Sequence, residues 1–82
     1  MTDEEIVRVY MRMDTRFAAW ATRVSRFPPE VWHTGHRIYN TFHYVRLGAL
    51  EENPDCRGMI RPTPLGVAAA KLYCERSGLE IE

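Results

Sequence analysis

The sequence predicts a mainly α domain carrying one small β-hairpin, in the order α-α-α-β-β-α. Three observations carry this. Ile6, Tyr10, Met13, Phe17, Trp20 and Val24 recur at spacings of 4, 3, 4, 3 and 4, the period of one helix face. Asn53-Pro54-Asp55 is a turn signal between two short strand-like segments. Thr63-Pro64 followed by small and apolar residues is a helix start, with Thr as the cap and Pro at the first position, where its missing N–H loses no bond. The 82 residues are expected to form a single domain over 1–82, and 45% hydrophobic with 27% charged residues is a globular composition.

The first segment, 1–26, is predicted to hold one amphipathic helix at about residues 3–25. Thr2 or Asp3 caps it, Glu4 and Glu5 sit at the positive end of its dipole, and Pro28-Pro29 ends it. Residues 28–47 are read as a short helix restarting at Pro28-Pro29-Glu30, then a helix from His36 that Gly48 terminates. Ile38, Phe42 and Val45 form the apolar face of that helix, while His36, Arg37, Asn40, His43 and Tyr44 form its polar one. Residues 48–61 make the hairpin, from Ala49–Glu52 and Cys56–Arg61. Residues 63–78 make the last helix, with Leu65, Ala68, Ala69, Leu72 and Tyr73 inward and Gly78 as its stop.

Eleven basic and eleven acidic residues give a formal charge of zero, which argues against a polybasic nucleic-acid binder. The charge is unevenly placed, however: −3 over residues 1–7, +4 over 8–61 and −1 over 62–82. Cys56 and Cys74 lack metal-site or redox spacing and are expected to be reduced thiols. An acidic start without a following apolar run excludes a signal peptide, and no apolar run reaches the roughly 18 residues of a membrane helix, so a cytoplasmic protein is expected. Ten Arg against one Lys fits a GC-rich bacterial or phage genome.

Two phrases resemble a known family. Leu47-Gly48-Ala49-Leu50-Glu51 closes the third helix, and Pro62-Thr63-Pro64-Leu65-Gly66 opens the last one after a wing-sized segment. Over about residues 34–73 the chain is similar to the winged helix-turn-helix domains of PadR- and MarR-type bacterial regulators, with an abbreviated second helix. The resemblance implies a winged helix-like fold, a third helix that enters the major groove of double-stranded DNA, and a role in transcription regulation.

On that reading His36, Arg37, Asn40, Tyr44 and the wing residue Arg57 are the DNA-binding candidates. Arg and Asn are the side chains whose forks match guanine and adenine edges, and His36 and Tyr44 flank them as phosphate contacts. Arg8, Arg12, Arg16 and Arg23 fall on one stripe beside the apolar face of the first helix, placed to track phosphates or to dock on an acidic protein surface. The apolar stripe itself fits either a monomer core or a dimer seam, and a homodimer through the N-terminal or C-terminal helix is expected.

A protein partner is the competing reading: a phage or mobile-element product that inhibits or redirects a host complex, of the anti-CRISPR or polymerase-binding kind. Zero net charge, the acids Glu51, Glu52 and Asp55 in the wing and the curtailed second helix favour it. His33, His36, His43 and Cys56 lack the spacing for a metal site. Cys56 with a histidine has no oxyanion loop or paired acids beside it, so neither enzyme activity nor a cofactor is expected.

Overall fold

The computed structural model describes residues 1–35, 38, 40–56 and 58–78. It is a small α+β protein: α1 (Asp3–Tyr10), α2 (Thr15–Val24), β1 (His33–Thr34), α3 (Thr41–Arg46), β2 (Leu50–Glu52), β3 (Met59–Pro62) and α4 (Pro64–Ser77). The strands form one antiparallel sheet in the order β1-β3-β2. Among the described residues no helix is long and apolar enough to cross a membrane.

The single N-terminal helix expected over about 3–25 is two helices. Thr2 caps α1 by accepting from the Glu5 N–H, and the acids of the first turn suit its dipole. The helix then stops at Tyr10 because Asp14 starts a new one. The Asp14 carboxylate accepts from the Phe17 N–H at 2.8 Å, and the Asp14 N–H donates to the Tyr44 hydroxyl at 2.9 Å instead of continuing the α1 ladder. The Asp14 and Phe17 N–H groups, which a continuous helix would direct to the Tyr10 and Met13 carbonyls, are thus committed elsewhere.

Phe17, Ala18, Trp20, Ala21 and Val24 of α2 are buried in the core together with Met13, so this part of the apolar stripe packs within the single chain. Phe17 stacks on Tyr44 with ring centroids 3.9 Å apart. Ala18 and Ala21 on α2, with Ala69, Ala70 and Cys74 on α4, are fully or almost fully buried. The Thr22 hydroxyl lies 3.6 Å from Cys74 Sγ across this seam. Tyr73 of α4 meets Tyr10 of α1 edge-on and exchanges a 2.9 Å hydrogen bond with Thr15 of α2.

The expected short helix at Pro28-Pro29-Glu30 is a turn, closed by the Val31 N–H donating to the Pro28 carbonyl, and β1 follows it. Val31-Trp32-His33-Thr34 is β-branched and aromatic, a composition that suits a strand better than a helix. The hairpin forms as expected, with Glu51 opposite Arg61 and Leu50 opposite Pro62, and β1 adds a third strand on the free side of β3.

The two family-like phrases lie against each other. Gly48 takes φ +79° after α3, the left-handed cap that glycine adopts without strain. The Thr63 hydroxyl caps α4 by accepting from the Gly66 N–H and donates to the Gly48 carbonyl at 2.5 Å, while the Thr63 N–H donates to the Ala49 carbonyl at 3.1 Å. Gly66 is buried where α4 crosses Ala49, and a Cβ there would overlap that backbone. The sequence Thr-Pro-Leu-Gly thus serves both helix initiation and close backbone approach.

Candidate nucleic-acid interface

α3 precedes the hairpin and is held by the α1–α2 connection. Phe17 and the Asp14 N–H engage Tyr44, and His43 Nε2 donates to the Arg12 carbonyl at 3.2 Å, which fixes the proton on Nε2. The helix is six residues long, shorter than expected, and its first flanking residue Asn40 sits in the left-handed region at φ 60°, ψ 56°. Asn tolerates that conformation better than most side chains.

Tyr44, expected on the polar face as a phosphate contact, is 2% exposed and belongs to the core. Burial pushes its phenol up to about 12, so it is a neutral packing residue that accepts a backbone hydrogen bond. Phe42 shows the opposite correction. Expected inside, it is 64% exposed, because stacking of Tyr44 on Phe17 sets which face of α3 turns inward.

The exposed side of α3 therefore carries Asn40, Phe42 and Arg46, with the Arg46 guanidinium 5.3 Å from the centre of the Phe42 ring. Asn40 makes no capping hydrogen bond with its side chain. Arg46 and Phe42 are absent from the sequence-based candidates, although their i, i+4 spacing on a polar helix was the available signal. His36, Arg37 and Arg57 lie outside the described residues, as does the start of the helix expected from His36.

Arg8, Arg12, Arg16 and Arg23 are all exposed. They do not form the single helical stripe expected, because the break at residues 11–14 divides them. Arg8 is on α1, Arg12 is in the connection with its guanidinium donating to the Arg8 carbonyl at 3.3 Å, and Arg16 and Arg23 share one face of α2 two turns apart. Among the described residues none of the four, nor Arg46, has a carboxylate within ion-pair distance. Arg12 is the member tied to α3, through His43.

The hairpin has a different charge balance. Glu51 pairs with Arg61, leaving Glu52 and Asp55 as its exposed acids among the described residues. Arg61 also donates to the Pro29 carbonyl at 2.9 Å and lies 4.1 Å over the Trp32 ring, so it fastens the residue 29–32 loop to the sheet. Both cysteines are free thiols, Cys56 exposed at the hairpin tip and Cys74 buried. Among the described residues no three His, Cys, Asp or Glu side chains converge as metal ligands would.

A concave surface lies apart from this exposed side of α3. It is a groove of about 820 Å³ between the end of α2, the loop at 25–31, β3 and α4, and it shares no residue with the Asn40–Phe42–Arg46 surface.

The chain matches no protein-family model, no curated protein and no solved structure.

Proposed function

We propose that this chain is a small winged helix-like protein that binds double-stranded DNA in the cytoplasm as a transcription regulator. α3 and the residues just before it meet the major groove, and the arginines near them meet phosphates. The observation that carries the reading is the pairing of topology with charge. A helix precedes a hairpin whose second strand is central in a β1-β3-β2 sheet, and Arg46 on that helix and Arg12 beside it are exposed and, among the described residues, without a carboxylate partner. A helix presented in front of a wing is the arrangement with which such domains read base edges, and unpaired guanidinium groups supply the phosphate attraction.

Within this reading Arg37 and Asn40 read bases, Arg12 and Arg46 hold phosphates, and Arg8, Arg16 and Arg23 extend the positive field. Tyr44 positions α3 from within the core. The test uses a duplex obtained by selection from random sequence. Arg37→Ala is expected to cost about 1–3 kcal/mol on that duplex and to relax the sequence preference, while Arg12→Ala weakens all duplexes alike. Affinity unchanged in both variants overturns the assignment.

Phe42 favours a second reading. A phenylalanine 64% exposed on the outer face of α3 suits a protein partner better than a phosphate backbone. In that case the same surface docks on a host complex that the chain inhibits or redirects. Phe42→Ser then abolishes capture of that complex and leaves weak duplex binding untouched; loss of duplex binding in this variant instead returns the ring to the DNA reading.

A further inference from the structure

α4 is apolar on two sides. Ala69, Ala70 and Cys74 are buried, with Tyr73 packed against the core, whereas Pro64, Val67, Ala68 and Lys71, at the i, i+3, i+4, i+7 spacing of one stripe, line the groove. A helix that is apolar on both sides is ordinarily covered on both. The facing wall of the groove carries Phe27, 54% exposed yet held edge-on against His33 with ring centroids 5.4 Å apart. The ring is a fixed apolar knob beside an apolar recess.

The charges of the groove identify what fits it. Glu51 and Arg61 satisfy each other, leaving Glu30 on the loop wall and Lys71 on the helix wall, both exposed and, among the described residues, without an ion-pair partner. One unpaired acid and one unpaired base in the same patch repel a ligand of either single sign at one wall. They suit a surface carrying the same two charges in reverse order. A knob and a recess, and an acid and a base, within one patch are what a two-fold contact requires, since each group meets its complement on the other copy.

We infer that the groove between α4 and the residue 25–31 loop is the contact through which two copies of this chain form a two-fold dimer, Phe27 of each filling the other's recess and Glu30 of each facing the other's Lys71. α4 is the covering helix, so of the two terminal helices expected to mediate a dimer it is the C-terminal one. Because the groove and the α3 surface share no residue, both copies keep α3 free. A standard contact buries about 800 Å² per partner, about one-seventh of the 5591 Å² surface of this chain and more than the groove itself presents, so the contact extends from both walls onto the surface around them.

Sedimentation analysis of the full chain without nucleic acid tests this, so its outcome is independent of DNA binding. The chain is expected to sediment as a dimer. Lys71→Glu and Glu30→Lys, each placing like charges face to face twice, weaken the dimer by about tenfold. The double exchange Glu30→Lys with Lys71→Glu restores it, and Phe27→Ser gives a monomer with an unchanged circular dichroism spectrum. A monomer at every concentration up to about 1 mM, single exchanges that leave association unaltered, or a double exchange no better than the singles overturns the inference.

Discussion

Gly66 packs so closely on the backbone of Ala49 that no side chain fits at position 66. The contact joins the start of α4 to the start of the hairpin, and Thr63 reinforces it through Gly48 and Ala49. In an ordinary helix interior Gly→Ala gains about 0.5–1 kcal/mol. Here the sign reverses, because the methyl group meets backbone rather than a movable side chain. Gly66→Ala is expected to lose at least about 2 kcal/mol in a denaturant titration; a gain would show that α4 shifts freely over Ala49.

Asp14 separates α1 from α2 by capping the second helix. Asp14→Ala removes the acceptor for the Phe17 N–H and is expected to cost about 1 kcal/mol of stability by chemical denaturation, with Asp14→Asn and Asp14→Ser recovering most of it. Equal loss in all three variants would show that charge rather than capping sets the effect.

Tyr44 makes stability depend on alkaline pH. Its pKa rises from 10 to about 12 through burial, so the unfolded chain gives up this proton first. The contribution is full below pH 10 and is lost as pH rises from 10 through 12. Tyr44→Phe keeps the stack on Phe17 but orphans the Asp14 N–H, lowering neutral-pH stability by about 1 kcal/mol. Melting temperatures of the variant should fall less steeply than those of the parent between pH 10 and 12; parallel profiles would contradict this role.

Arg61 joins β3 to the 29–32 loop through Trp32, the Pro29 carbonyl and Glu51. Arg61→Ala should shift tryptophan emission to longer wavelength as Trp32 loses its cover, while global stability changes by no more than about 1 kcal/mol because the site is half-exposed. Emission that stays put would mean that the loop is held by other contacts.

The parts of the fold legible in the sequence are those set by local chemistry. The Thr2 and Thr63 caps, the left-handed glycines at 48 and 78 and the Asn53-Pro54-Asp55 turn each follow from groups within a few residues of one another. The break at Asp14 was hidden because the apolar spacing runs through it unchanged, and its cause lies 30 residues away in Tyr44. Asp14-Thr15 inside an apolar stripe was the one local hint. The orientation of α3 was equally illegible, since Phe42 and Tyr44 are both aromatic and only the stack on Phe17 decides which enters the core. β1 is not legible in the sequence because two residues carry no periodicity and its pairing to β3 is entirely long-range. Of the candidate DNA contacts, Asn40 is exposed beside α3 and Tyr44 is structural.

Duplex binding at low salt is the most direct measurement of the central claim, because phosphate attraction registers even without a cognate sequence. Titrating the chain onto a random-sequence duplex and repeating the titration over rising salt should give binding that weakens linearly in the logarithms. Arg12→Ala and Arg46→Ala should each lower the slope by about one. Absence of binding at the lowest salt, or a slope unmoved by either variant, would contradict the reading of α3 and its arginines as a DNA-binding surface.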